Sequence, residues 1–253
     1  MTGRERVFKS EGLVLSHVDA GETDRIITVL SPHHGKLRAI VRGARRVSSR
    51  LGGHVEPLTY VTLQLVHGRN MLVVGQVRME YSFRRLREDL VALSYALEAM
   101  RMVDYFVQEG EENLQAFKLL IAFLRRCETA RFLSMPYLAF QWKLLAMAGY
   151  RPILDACVVC GAHGDLVGFS AIQGGTVCTS CGPLQPGSRS VSRGTLMLMR
   201  SLDRLPYERA CELKYDARVA PEVQALLSWY LRHVTDGKLD GNGLASLLRE
   251  PGL

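Results

Sequence analysis

Cys157-Val-Val-Cys160 and Cys178-Thr-Ser-Cys181 are two CxxC knuckles separated by 17 residues. A tetrahedral Zn²⁺ site takes four thiolates from two tight turns, and this spacing supplies them. Gly161 and Gly182 each follow the second cysteine of a knuckle, where a tight turn often needs positive φ. Two disulfides or a redox dithiol are the competing arrangements. A single CxxC arises readily by chance, whereas a pair at ribbon spacing is a specific signal. Cys127 and Cys211 lie far apart in sequence and read as reduced core cysteines of a cytosolic protein, a redox pair being the alternative. His163 sits just beyond the first knuckle and reads as a bystander.

The second chemical feature is charge. The 253-residue chain carries a formal net charge of +7, and the excess is not spread evenly. Residues 1–85 hold 14 Lys/Arg against 7 Asp/Glu, while residues 86–253 hold 18 of each. Four thiolates with one dication would lower the second part further and sharpen the contrast. Within residues 36–50, Lys36, Arg38, Arg42, Arg45, Arg46 and Arg50 occur with no acidic residue among them. In a strand over Lys36–Arg42, alternation sets Leu37, Ala39 and Val41 on one face, and Lys36, Arg38 and Arg42 with Ile40 on the other. Gly43-Ala-Arg-Arg46 continues the basic run into an expected flexible loop. Such a stripe follows a phosphate backbone without reading bases; a merely solvated basic strand is the bland alternative. Residues 20–53 contain no Phe, Tyr or Trp, so base stacking is weakly served there. Six phosphate contacts would give a slope of log K against log salt of about −4 on a single strand.

Other chemistries find little support. There is no G-x-x-x-x-G-K-[ST] phosphate loop and no H-E-x-x-H. A zinc deaminase needs an H-x-E element and an open zinc position, whereas four cysteines close the shell. With 47% hydrophobic and 23% charged residues the composition is that of an ordinary globular protein. The charged N-terminal residues lack a following apolar core, so no signal peptide is expected. No apolar run reaches the ~20 residues of a membrane helix, and no membrane association is expected.

The elements that position these residues follow from periodicity. Strands are expected over Val7–Val18, Arg25–Leu30, Lys36–Arg42, Leu58–Val66 and Leu72–Tyr81, with His67-Gly-Arg-Asn70 as a hairpin turn. Five short strands suit a small closed barrel, an OB-fold first and an SH3-like barrel second. Helical spacing begins near Leu86 and predicts a buried face of Leu86, Leu90, Leu93, Leu97 and Met100. Leu114, Phe117, Ile121 and Leu124 predict a second helix. A third, carrying Phe140, Leu144 and Met147, starts near Ser134-Met-Pro136 and stops at Gly149. Trp142 reads as packing or surface cover, not a base-stacking residue. Residues 154–187 predict two small hairpins around the metal. Ser192 then caps a helix with Leu196, Met199 and Leu202, and a last helix from Pro221 carries Val223, Leu227, Tyr230 and Val234. The expected fold is α+β: a basic barrel (1–83), a helical domain in two parts (84–153 and 188–253) and an inserted four-cysteine segment (154–187).

Taken together, these pieces resemble a known family. Glu11-Gly-Leu-Val-Leu15, Gly21-Glu-Thr-Asp-Arg25, His34-Gly-Lys36 and Arg42-Gly-Ala-Arg-Arg46 look like the N-terminal signature of the bacterial recombination mediator RecO. Leu144-Leu-Ala-Met-Ala-Gly-Tyr-Arg-Pro152, the two knuckles, Phe169-Ser170 and Gly174-Gly175 follow in an order similar to that family's helix–zinc junction. Leu226-Leu-Ser-Trp-Tyr-Leu-Arg232 is also similar. Leu30-Ser-Pro32 departs from the threonine usual there, and the region after Gly237 diverges. The resemblance implies an N-terminal OB-fold, a helical domain, one structural zinc on all four cysteines and no catalysis. It also implies binding of single- and double-stranded DNA, strand annealing, and a cytoplasmic role with RecR, and in some cases RecF. That role is to load RecA on strands covered by single-strand-binding protein. The family's basic DNA-binding positions fall on Lys36, Arg42, Arg45 and Arg46, with Arg25 also matching the motif; Arg38 and Arg50 rest on charge alone. The competing functional classes are a zinc-ribbon protein acting on RNA or ribosomes, and a metal-dependent enzyme.

Overall fold

A computed structural model describes residues 7–241 apart from Ser48, Arg50, Pro186 and Ala217. Five strands open the chain: β1 (Val7–Ala20), β2 (Asp24–Ser31), β3 (Gly35–Val41), β4 (Thr59–His67) and β5 (Leu72–Tyr81). They close into a barrel of order β1-β2-β3-β5-β4. β1 is long enough to serve two neighbours. Its first half pairs with β4, its second half with β2, and a bulge at Val14/Ser16 bends it between the two. Among the described strands of the barrel, the short β3–β5 contact is the one parallel pairing. This five-stranded, partly Greek-key closure is the OB-fold arrangement. Alternation drives it: Val14, Ile27, Val29, Ala39, Val41, Val61, Leu63 and Leu65 all point inward and are buried. A short 3-10 turn, Gly52–Val55, adds the fully buried Val55.

Helices follow: α1 (Arg84–Glu88), α2 (Leu90–Phe106) and α3 (Leu114–Cys127). Packing divides the chain into two compact units, Met1–Asp89 with Val103–Leu124, and Leu90–Met102 with Arg125–Leu253. The helical block 84–153 is therefore shared, α3 going with the barrel. Within the first unit Phe117 of α3 lies 6.3 Å from Tyr60 of β4, ring centre to ring centre. The segment after α2 also docks on the start of β3, where the Gly110 N–H donates to the Lys36 carbonyl at 2.9 Å. Gly35 makes that approach possible. Its φ is +64°, and a Cβ there would lie 1.9 Å from the Glu111 carbonyl oxygen. Gly35→Ala should cost roughly 3 kcal/mol, combining a left-handed backbone with a backbone collision. Urea denaturation checks this.

The face expected for the first helix is buried only in part: Leu86 and Met100 are buried as expected. Leu90 is 64% and Leu97 41% exposed, while Ala92, Tyr95, Ala96, Ala99 and Met100 are buried. A break at Asp89 takes Leu86 out of register with α2. The alanines then allow close packing, and Tyr95 meets Tyr137 edge-on at 5.0 Å. Glu98 is also buried, paired with Arg101 at 3.1 Å; burial raises its pKa.

The second unit is built on α4 (Ser134–Met147), which is buried on nearly all sides, including the fully enclosed Trp142. Ser134 does not cap it, but Gly149 terminates it at φ +85° as expected. The cysteine segment follows, with β6 (Leu166–Ser170), β7 (Gly175–Cys178) and β8 (Arg189–Ser190) in the order β7-β6-β8. There is thus one hairpin with an added edge strand, where two hairpins were expected; the first knuckle is a turn without strands. Then come α5 (Arg193–Arg204), α6 (Tyr207–Ala210) and α7 (Val219–Val234). Ser192 caps α5 by accepting the Thr195 N–H at 3.1 Å. No described helix is long and apolar enough to cross a membrane.

Asp203 on α5 ties this unit together. Its carboxylate accepts the Trp142 Nε1–H at 3.1 Å and a bidentate pair from Arg151 at 2.8 and 2.6 Å. Its carbonyl accepts from Lys143 Nζ at 2.9 Å. Burial pushes the Asp203 pKa up, but these donors outweigh burial and hold it below the ordinary 3.8. A depressed folded pKa stabilises above the unfolded value and is lost as pH falls through the folded one. Asp203→Asn should therefore cost about 1–3 kcal/mol at neutral pH. The exposure of Arg151 favours the lower end. The gap to the parent protein should close below about pH 4 in denaturation curves taken across pH.

Candidate metal centre and cationic barrel face

Two turns and one hairpin bring the four cysteines together. The Gly161 N–H closes the first knuckle on the Cys157 carbonyl at 2.8 Å, and the Cys157 N–H donates to Ala162 at 2.7 Å. Gly161 sits at φ +77°, as its position predicts. Gly182 does not; it starts a 3-10 turn, Gly182–Leu184, so the two knuckles end differently. β7 delivers Cys178 into the second knuckle, where the Thr179 N–H donates to Asp165 at 3.0 Å.

The four sulfurs of Cys157, Cys160, Cys178 and Cys181 lie within 4.8 Å of one another. Cys160 and Cys178 are 3.7 Å apart, sulfur to sulfur. A metal–sulfur bond of about 2.3 Å makes a tetrahedron with an edge of about 3.8 Å, so the spacing suits a metal and is far too long for a disulfide. None of the six cysteines is in a disulfide. Burial raises the Cys157 pKa, but the N–H groups of Cys160, Cys178 and Val159 aim at its sulfur and bring it down to about 6. The neighbouring sulfurs push Cys181 up to about 12. Four sulfurs this close cannot all ionise unless a cation offsets them, which is the chemistry of a closed thiolate site. His163 is no ligand here; its Nδ1 lies 2.9 Å from the Asp155 carbonyl. Asp155 in turn pairs with Arg200 and Arg204 of α5, at 2.9 and 3.1 Å.

The basic residues separate into three kinds. Arg38, Arg42 and Arg46 are exposed, and among the described residues none is held in an ion pair. Arg45 is pinned: it pairs with Asp19 at 3.2 Å and donates to the carbonyls of Gly21 and Glu22. Lys36 is withdrawn, its side chain only 14% exposed and paired with Asp104 at 3.1 Å; it also donates to the Asp104 carbonyl. Arg50 lies outside the described residues. Lys36 and Arg42 sit at opposite ends of β3, about 20 Å apart at 3.3 Å per residue.

The arginine loop is not the free segment its composition suggests. The Gly43 N–H donates to the Asp24 carboxylate at 2.8 Å, and the Arg45 N–H to the Thr23 carbonyl at 2.9 Å. The Gly43 N–H, the Thr23 hydroxyl and the charges of Arg42 and Arg46 keep the Asp24 pKa below its ordinary value. The segments 21–25 and 42–46 are therefore one folded unit that presents Arg42 and Arg46. Arg25 supports it from beneath, pairing with Asp19 at 3.3 Å and Glu56 at 2.6 Å. Sequence reasoning matched Arg25 to the motif, and the structure holds it between Asp19 and Glu56. It missed Asp104 and Glu109 at Lys36. The acidic run Glu109-Gly-Glu-Glu112 was visible, but nothing local connects it to β3.

The chain thus joins an OB-fold barrel with a basic surface to a helical unit with a four-cysteine cluster, and sequence comparison narrows the class. The sequence model described as "Recombination protein O N terminal" matches residues 5–83, and that of "Recombination protein O C terminal" matches residues 87–241. The chain is 36% identical over 235 residues to a DNA repair protein RecO of Roseiflexus sp., covering 92% of this chain and 83% of that one. It is 32% identical over 236 residues to the RecO of Desulforamulus reducens, covering 92% of each. It is 32% identical over 248 residues to that of Symbiobacterium thermophilum, covering 96% and 98%. The chain belongs to the RecO family.

Proposed function

We propose that this protein is a recombination mediator in DNA repair, working in the cytoplasm at the nucleoid and without turnover chemistry of its own. It binds single- and double-stranded DNA and promotes annealing of complementary strands. With RecR it assists RecA loading on strands coated by single-strand-binding protein, and RecF is a further partner. The observation that carries this reading is the set Arg38, Arg42 and Arg46, exposed and in no ion pair among the described residues. Exposed cations that no ion pair holds neutralise phosphates and release counterions. Two strands brought to such a surface repel each other less, so their bases can pair. In this reading residues 1–83 hold DNA. The helical parts, 84–153 and 188–253, contact proteins. Residues 154–187 carry one structural zinc ion on Cys157, Cys160, Cys178 and Cys181, and zinc supplies a fold there with no open position for substrate.

The deciding experiment is strand annealing with the parent protein and with Arg38→Glu/Arg42→Glu/Arg46→Glu. Loss of annealing supports the reading, and unchanged annealing removes the barrel face from it. Matched DNA and RNA strands run in parallel; marked RNA preference would favour an RNA-associated role instead.

A further inference from the structure

One cavity on the outer surface of the barrel has the wrong chemistry for a phosphate. Its volume is about 360 Å³, and it is lined by Ser16, Val18, Ile26, Thr28, Lys36, Arg38, Asp104 and Glu109. Strand register explains the wall. Ser16, Thr28 and Arg38 lie side by side across β1, β2 and β3, as do Val18, Ile26 and Ile40 in the next row. One row is polar and the other aliphatic, and Val18 is 54% exposed. The opposite rim comes from the end of α2 and the segment after it. Asp104 spends its charge on Lys36. Glu109 is exposed, and no ion pair or hydrogen bond holds its carboxylate among the described residues.

The cavity is therefore close to neutral, two cations against two anions, in the middle of a basic surface. A phosphate gains nothing from entering it and is repelled by Glu109, while Arg38, Arg42 and Arg46 offer better positions along β3 and beyond. A flat apolar ring with an amino edge suits it much better. The aliphatic row of Val18 and Ile26 takes the ring face, and the free carboxylate accepts from an exocyclic amine. A carboxylate is the usual acceptor for the cytosine N4 amine, whereas thymine offers a carbonyl at the same place.

We infer that this cavity is a nucleobase site, in which Glu109 selects amino-bearing bases of a single strand whose phosphates run over Arg38, Arg42 and Arg46. This rests on the reading of the barrel as a DNA-binding surface and adds a base preference to it. It supplies, from aliphatic side chains and one acid, a base contact that needs no aromatic ring.

The test compares oligo(dC) and oligo(dT) of equal length at neutral pH, by fluorescence anisotropy. The parent protein should bind oligo(dC) roughly fivefold more tightly, the low end for one well-placed base contact. Glu109→Ala, a change at an exposed position, should bring that ratio near one without weakening oligo(dT) binding. A parent ratio near one, or a ratio that survives Glu109→Ala, overturns the inference. Arg38→Glu/Arg42→Glu/Arg46→Glu should weaken both oligonucleotides alike. If that triple variant binds as the parent does, the DNA-binding reading of the barrel fails, and the base site fails with it.

Discussion

Cys157→Ser should unfold the segment between α4 and α5 while leaving the barrel intact. The reason lies in what the segment has for a core. Its buried cluster is Cys157, Val177 and Cys178, with Val158, Leu166 and Cys181 packed against it. Half of those residues are the proposed ligands, so little apolar packing remains once the metal is lost. Segments this small seldom fold on apolar burial alone. Structural zinc in comparable small motifs contributes about 10–16 kcal/mol at neutral pH. That matches or exceeds the ~5–15 kcal/mol total stability of an ordinary domain. Loss of one ligand should therefore melt the segment outright and lower the melting temperature of the second unit.

Three measurements check this. The purified protein should contain one equivalent of zinc, and Cys157→Ser much less. A strong chelator should lower the melting temperature of the parent but not that of the variant. Hydrogen exchange should rise across residues 154–191 and stay unchanged across β1–β5. A parent protein without bound metal, melting identically with and without chelator, would sink the assignment. DNA affinity of the variant should fall less than its stability, because no cysteine lies on the cationic surface.

The strands of the barrel were legible because their cause is local. Period-two alternation sets which residues face inward, and all five strands appear within two residues of their expected ends. The cysteine quartet was equally legible, since two knuckles at ribbon spacing have few ways to close. What the sequence hid was pairing between distant charges. Six basic residues in 15 looked equivalent, yet one is consumed by Asp104, some 68 positions away, and another by Asp19. The rigidity of Arg42–Arg46 was hidden for the same reason, because Asp24 and Thr23 hold it from another hairpin. In α2 the leucine pattern misled in part: Met100 is buried as expected, but Ala92, Tyr95, Ala96 and Ala99 share the buried face while Leu90 and Leu97 stay exposed. Local periodicity is written in the sequence, whereas partners brought together by the fold are not.

This partition of charges changes the expected DNA response. Six free cations would give a single-strand salt slope of about −4, whereas the three free ones among the described residues, Arg38, Arg42 and Arg46, give about −2. Raising salt from 50 to 200 mM should then weaken binding by about one order of magnitude. Arg38→Glu/Arg42→Glu/Arg46→Glu should take the slope close to zero and abolish annealing. Arg45→Glu should behave differently: it breaks the contacts to Asp19, Gly21 and Glu22, so it should lower barrel stability as well as affinity. Lys36→Ala should change affinity little at first, because its charge is already neutralised. Asp104→Asn frees that charge, so it should strengthen binding and steepen the slope by about 0.7. Fluorescence anisotropy on a short oligonucleotide across a salt series reads all four variants. A parent slope near −4, unaffected by Asp104→Asn, would mean that Lys36 already reaches phosphate and that its pairing with Asp104 does not survive DNA binding. A slope near zero would mean that the basic surface does not hold DNA at all.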